Sequence, residues 1–227
     1  MQGRNRFIGW TLFGAAVCFW TSWALMPGVG VTDASRILSL VGAQPQRVLL
    51  SSVLQLLSAA LLGMAIPGLA LRLGASKYLW GRAAVTLLAV GACGDAADAI
   101  YHQLAYEMVR PGIDQAAMLP VMQRMQSADL LYLLPMIAAF LFGCVALSIA
   151  ATRLGVVSKW NPSLYVLSVI IAVAANGLHL APGVSGRAVG LICLGLLSLS
   201  LAWIGLALGR SGDADMPGIS MGASLGP

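Results

Sequence analysis

The sequence predicts an all-α fold, a polytopic transmembrane bundle of about six helices arranged as three hairpins with both termini in the cytoplasm (N-in, C-in). Three observations predict it. The 227 residues are 59% hydrophobic and only 9% charged, whereas a soluble domain carries about 25% charged residues. That is too little charge to cover a water-facing surface. The apolar residues fall in runs of about 20, the length that crosses a bilayer once. The runs are continuous and lack the period-two alternation of a membrane β-barrel, so the spans are helices.

The first span, 8–26, follows Arg4 and Arg6. A secretory signal begins the same way, but this run continues through Trp20 and Trp23 to Met26 without a small-x-small cleavage site, and it reads as a membrane helix. Residues 27–47 hold Pro27, Gly28 and Gly30, then a stretch from Asp33 to Leu40 suited to a short surface helix. The second and third spans, 48–71 and 83–105, are joined by a turn bearing Arg72, Lys77 and Arg82. In 106–129, Met118, Leu119, Met122 and Met125 recur at helical spacing, which fits a short amphipathic helix on the outer surface. Thioethers suit Cu(I), yet a methionine stripe of this kind reads first as packing. The fourth, fifth and sixth spans are expected at 130–151, 162–181 and 188–209; the fifth is the least apolar because it holds Asn176 and His179. Residues 1–210 thus form one transmembrane domain, and the Gly-, Ser- and Pro-rich stretch 211–227 forms a disordered cytoplasmic tail. Cys18, Cys93, Cys144 and Cys193 all lie in apolar segments without a CxxC or zinc-like spacing, as small buried residues would.

Basic residues set the orientation. With the N-terminus inside, the inner segments carry Arg4, Arg6, Arg72, Lys77, Arg82, Arg153, Lys159 and Arg210, and the outer ones Arg36, Arg47, Arg110, Arg124 and Arg187. Inner loops of membrane proteins carry the excess of Lys and Arg, so N-in and C-in is favoured. The net charge of +5 is therefore a topology signal spread over short turns. It is not a nucleic-acid stripe, and no nucleic-acid partner is expected. Trp10, Trp80 and Trp160 fall at the inner interface and Trp20 and Trp23 near the outer one, as aromatic belts require. The exits Arg72-Leu73-Gly74 and Arg153-Leu154-Gly155 are each followed by a lysine and a tryptophan, which suggests repeated hairpins. The chain belongs in a bacterial-type inner (plasma) membrane. Its partners are the lipid bilayer and, for an accessory subunit, other membrane subunits or a second copy.

The third span carries Asp95, Asp98 and His102, within about 60° of arc on one helix face. A carboxylate at the centre of a membrane helix costs ~2.5–3.5 kcal/mol even on insertion scales, so these groups should face the bundle interior or a wet cavity. His102, four residues after Asp98, is placed to pair with it, which would fix the ring tautomer. Counting from the inner tryptophans puts Asn176 and His179 of the fifth span at nearly the same depth, between the bilayer middle and the outer face. Ser51, Ser52 and Gln55 of the second span lie in the same outer half, Tyr132 lies near the outer end of the fourth, and Glu107 could cap the site from the loop.

Four readings fit this cluster: a polar network that locks helix packing; an ion or small-ligand site, proton-coupled transport included; a metal centre; and a haem held by His102 and His179. The ligand site would use Asp95, Asp98, His102, Asn176, His179, Gln55 and Tyr132. The metal centre would use Asp98, His102 and His179, with Asp95 or Glu107 added, and such a mixed shell suits copper, iron or zinc. The primary expectation is binding of a cation, metal or small ligand. The rival roles are a structural subunit and a metal-dependent enzyme acting on a lipid-soluble substrate. No GxSxG elbow, HExxH pair, P-loop or dinucleotide fingerprint occurs, so no catalytic residue is assigned.

Asp98-Ala99-Ile100-Tyr101-His102 is similar to the Asp-x-x-x-His metal element in the membrane-embedded C subunit of particulate methane and ammonia monooxygenases. The resemblance implies copper on Asp98 and His102, with a second histidine about a dozen residues later. Here that position falls near Gln115, and the next histidine is His179. The Arg-Leu-Gly helix exits followed by tryptophan also resemble those of a broad group of bacterial six-helix membrane proteins, which implies an architecture and no activity.

Overall fold

The computed structural model describes residues 2–73, 79–177 and 186–210, without side-chain detail at 2–5, 129, 130, 176 and 177. The described residues form seven helices: α1 (Gln2–Leu25), α2 (Ala34–Ala43), α3 (Pro45–Arg72), α4 (Leu79–Met108), α5 (Gln115–Arg153), α6 (Ser163–Gly177) and α7 (Gly186–Arg210). Among the described residues, five stretches are long and apolar enough to cross a bilayer: Arg6–Leu25, Pro45–Arg72, Leu79–Met108, Leu131–Arg153 and Gly186–Arg210. The expected fifth span corresponds to α6, which has 15 residues, short of the ~20 that one span needs. The remainder of that expected span, 178–181, lies outside the described residues, as does the tail 211–227.

The long helices are neighbours in the order α7, α1, α3, α4, α5, with a thinner α5–α7 contact closing the ring and α6 packed on α7. Small residues set the closest approaches. A Cβ on Gly205 would lie 2.7 Å from the Phe13 backbone nitrogen and 2.8 Å from the Gly9 carbonyl oxygen, so α1 and α7 touch backbone to backbone there. Gly91 and Gly94 of α4 do the same against Phe140 and Met136 of α5. In lipid, where helices gain nothing by hiding from water, such close packing is a main source of association.

Polarity is distributed inside-out. On α3 the buried face carries Ser51, Ser52, Gln55 and Ser58, while Leu50, Val53, Leu56 and Leu57 are exposed. On α6, Val166, Val169, Ile170 and Val173 are exposed. An outer surface this apolar suits lipid and not water.

Two expectations change. The amphipathic segment 115–128 is not a separate surface helix: it runs unbroken into the fourth span as the 39-residue α5, through Pro120 and Pro135. Its N-terminal part packs with α2 and the end of α4 in a second apolar cluster that holds Met26, Met108 and Met122. The methionine stripe is therefore packing. The cysteines are not uniformly buried either: all four are free, Cys144 is buried and Cys93 is exposed. The surface helix expected after Asp33 is present as α2, capped by that residue. Asp33 Oδ1 accepts from the Arg36 amide at 2.8 Å and the Ser35 hydroxyl at 2.5 Å. The Ser35 hydroxyl first and the Arg36 amide next hold the Asp33 carboxyl below the usual carboxylate range.

Candidate functional site

The buried face of α4 is lined by Gly91, Gly94, Asp95, Asp98 and His102. The glycines let α5 lie close, and the polar residues meet α3 on the other side. Gln55, 1% exposed at the middle of α3, ties the site together. Its amide nitrogen donates to Asp98 Oδ2 at 2.5 Å. Its amide oxygen sits 3.1 Å from His102 Nδ1. With the NH2 committed to a carboxylate, the oxygen must face the ring, so Nδ1 carries a proton and donates. His102 Nε2 is then left toward Asp98 Oδ1, 3.9 Å away. That is beyond hydrogen-bond reach but close enough for charge to be felt. Asp98 is 5% exposed and His102 6%. Trp23 of α1 packs edge-on to the His102 ring, centroids 5.8 Å apart.

Asp98, Tyr101 and His102 open on a cavity of about 430 Å³. Its other walls are Trp23, the α1–α2 loop from Gly28 to Thr32, and Gln126 and Leu133 of α5. Gln126 donates to the Thr32 carbonyl at 3.0 Å, tying the N-terminal part of α5 to that loop. Asp95, one turn deeper and 7% exposed, behaves differently. Ser58 and Gln55 face its carboxyl, but neither closes a hydrogen bond on it, and both of its oxygens are buried without a partner. The Trp23 indole N–H is likewise buried without an acceptor.

Comparison with protein-family models, with curated proteins and with solved structures finds no match for this chain. The site must therefore be read from its own geometry.

Of the residues the sequence singled out, Gln55, Asp95, Asp98 and His102 come together. Tyr132 does not: it is 69% exposed on the outside of the bundle. Glu107 does not cap the site either; it pairs with Arg110 at 3.0 Å, and the carboxylate raises that guanidinium further above its ordinary range. Ser51 and Ser52 are spent on carbonyls, Ser51 on Ser22 at 2.7 Å and Ser52 on Val48 at 3.0 Å. Asn176 is in α6, which packs on α7 and makes no substantial contact with α4 among the described residues. His179 lies outside the described residues, and with it the histidine pair for a haem. Among the described residues no group of three or more His, Cys, Asp or Glu is placed to hold a metal ion. Asp98 and His102 alone do not complete the copper set that the resemblance implies.

Sequence reasoning missed Trp23, read as an interfacial belt residue and found lining the site. Phe19, one helical turn away on the same face of α1, was the available signal. It also missed Asn161, fully buried just before α6. Asn161 Oδ1 accepts from Ser148 at 2.5 Å and from Ser200 at 2.7 Å, and its Nδ2 donates to the Ser200 carbonyl at 3.2 Å. This cluster clasps α5, the start of α6 and α7 with its polar groups paired to one another.

Proposed function

We propose that this chain is a six-span protein of a bacterial-type inner membrane that binds a small cation in the outward-facing cavity floored by Asp98 and His102. The observation that carries the reading is a buried acid with no lysine or arginine counterpart among the described residues. Asp98 lines a cavity of about 430 Å³, and among the described residues the one ionisable base near it is His102, with Nε2 3.9 Å from Oδ1. A buried carboxylate is stabilised by a counter-ion or by losing its charge, and a cavity of this size leaves room for the counter-ion to be a ligand.

The membrane reading draws support from helix contacts. The consecutive pairs α1–α3, α4–α5 and α6–α7 each pack together, as three hairpins would. Gly9 near the start of α1 lies against Gly205 and Gly209 near the end of α7. At the other end Arg187 donates to the carbonyls of Ala24 and Pro27 at 2.8 and 3.0 Å. The two helices are thus antiparallel, which puts the ends of the bundle on one side and calls for an even number of crossings. The basic bias of the loops assigns that side to the cytoplasm.

The test is thermal unfolding of the purified protein in nanodiscs against sodium, potassium, magnesium, calcium, zinc and organic ammonium salts at matched ionic strength. One class should raise the melting temperature saturably, because a ligand at 100 times its Kd adds about 2.7 kcal/mol to the folded state. Asp98→Asn should lose that response. No saturable shift with any cation, or an undiminished shift in Asp98→Asn, rejects the reading. A structural role, as an accessory subunit beside other membrane subunits or a second copy, is the alternative. Its specific support is Gln55, whose amide joins α3 to α4 through Asp98 and His102.

A further inference from the structure

In the cavity of about 430 Å³, Asp98 and His102 leave a matched pair of acceptors. Gln55 takes Asp98 Oδ2 and faces His102 Nδ1. The atoms left over are Oδ1 of the acid and Nε2 of the ring, 3.9 Å apart, on side chains that are each 8% exposed. With the ring proton on Nδ1, Nε2 presents a lone pair. Neither atom makes a hydrogen bond among the described residues, and neither is sealed in: the side-chain atoms buried without a partner include both Asp95 oxygens but not these two. The pair therefore calls for a donor, and it opens on the cavity that both residues line.

Spacing and walls select among ligands. Two acceptors, with no lysine or arginine among the described lining residues, exclude an anion. A nitrogen donor about 2.9 Å from each acceptor would see them about 85° apart, within reach of two N–H bonds of a tetrahedral ammonium. Zinc, about 2.1 Å from each, would see them roughly 140° apart, far from tetrahedral, and its sites use about three or four protein ligands. Among the described residues no group of three His, Cys, Asp or Glu is placed to supply them. Calcium takes about six to eight oxygens, whereas Val29, Ile37 and Leu133 form much of the wall. An organic ammonium suits both parts of the cavity. Its nitrogen donates to the acceptor pair, and its hydrocarbon body meets the aliphatic wall. Trp23 and Tyr101 also line the space, and aromatic faces attract a nearby cation. Size agrees. An apolar cavity of about 150 Å³ takes up benzene, so 430 Å³ admits a ring, a short linker and an ammonium group.

We propose that this cavity binds a small lipophilic primary ammonium, of about the size of phenethylammonium, whose nitrogen bridges Asp98 Oδ1 and His102 Nε2 and whose body lies against Trp23, Tyr101 and the aliphatic wall. This names the ligand class for the cation-binding reading above and rests on it.

The experiment is isothermal titration of phenethylammonium chloride into the full-length protein in nanodiscs, with the heat of empty nanodiscs subtracted. It is run at about pH 8, above the ordinary titration of imidazole and below that of an alkylamine. 2-Phenylethanol is the neutral near-isostere, tetramethylammonium the cation without N–H donors, and sodium the inorganic control. Wild type should bind phenethylammonium saturably and about tenfold more tightly than any of the three. Asp98→Asn, which keeps an acceptor for the Gln55 amide, should weaken binding about tenfold or more, because a charge-assisted bond becomes a neutral one. His102→Asn, whose amide can still donate to Gln55, should weaken it about three- to tenfold through loss of one neutral bond. Where a variant unfolds, the four ligands compared on wild type decide alone. Equal binding of 2-phenylethanol or tetramethylammonium overturns the proposal, as does undiminished binding in folded Asp98→Asn or folded His102→Asn. No binding of phenethylammonium beside an Asp98-dependent response to an inorganic cation overturns this ligand class and keeps the cation-binding reading. No response to any cation overturns both.

Discussion

Replacing Gln55 by leucine removes the one side chain that holds Asp98 and His102 together, with little change in volume. Two groups are orphaned: Asp98 Oδ2 loses its donor at 2.5 Å and the His102 Nδ1–H its acceptor at 3.1 Å. A hydrogen bond to a charged group contributes ~1.5–3 kcal/mol, and a buried donor left unsatisfied costs ~1–3 kcal/mol. Two facts reduce the sum. Asp98 and His102 both line the cavity of about 430 Å³, where water can replace part of what is lost. Hydrogen bonds between membrane helices also measure less than in isolation, averaging ~0.6 and reaching ~1.7 kcal/mol. Gln55→Leu should therefore destabilise the bundle by about 2–3 kcal/mol. The assay is reversible unfolding in mixed micelles with rising SDS. A double-mutant cycle with Asp98→Asn isolates the charged bond, since the asparagine keeps an acceptor for the Gln55 amide and loses only the charge. A coupling of about 1 kcal/mol is expected. A Gln55→Leu effect under ~0.5 kcal/mol, or an additive cycle within ~0.3 kcal/mol, refutes the bridge.

The same unfolding assay tests the helix contacts. Gly205→Ala places a methyl 2.7 Å from the Phe13 backbone nitrogen and should cost ~1–3 kcal/mol by overpacking. Gly63→Ala, with open space around its Cβ, should be neutral or gain up to ~1 kcal/mol of helix propensity. Asn161→Ala strands the Ser148 and Ser200 hydroxyls and should cost ~2–3 kcal/mol, with faster amide exchange at the start of α6. Asp33 is held below the usual carboxylate range, so its contribution to α2 is complete above about pH 4 and is lost as pH falls through the lower folded value. Amide exchange at Arg36 should show that acid-dependent loosening in wild type and not in Asp33→Ala.

The long helices were legible because membrane spans announce themselves by length: 48–71 was expected where α3 occupies Pro45–Arg72, and 83–105 where α4 occupies Leu79–Met108. The continuity of α5 was not, because the amphipathic spacing of 115–128 and the apolar run from 130 carry different patterns, and a single helix can hold both. The site was half legible. Helical periodicity placed Asp95, Asp98 and His102 on one face of α4, with Gln55 in the same half of its own span, and the structure brings the four side by side. Depth fixes height along a helix axis and says nothing of direction around it, which is why Tyr132 was included and faces outward. The cavity-lining place of Trp23 was not legible, for a related reason. A tryptophan near a helix end has the same sequence signature whether it sits in the headgroups or walls a cavity.

Two polar clusters in one bundle separate packing from binding. Asn161 with Ser148 and Ser200 is a closed lock: each polar atom meets another, no charge is involved, and removing it should loosen the fold. The α4 cluster is not built that way. It buries two carboxylates at ~2.5–3.5 kcal/mol each on insertion scales, bonds one of them through Gln55, and leaves the other without a partner. A polar network retained only for packing is worst when half satisfied. The stabilities of two single variants therefore decide between the roles. If Asp95→Asn matches or exceeds wild type while Asn161→Ala is destabilised, the carboxylate opposes the fold it sits in, and packing is not what it serves. If Asp95→Asn is destabilised as much as Asn161→Ala, the acid is part of the lock, and the cation-binding reading loses the feature that distinguishes it.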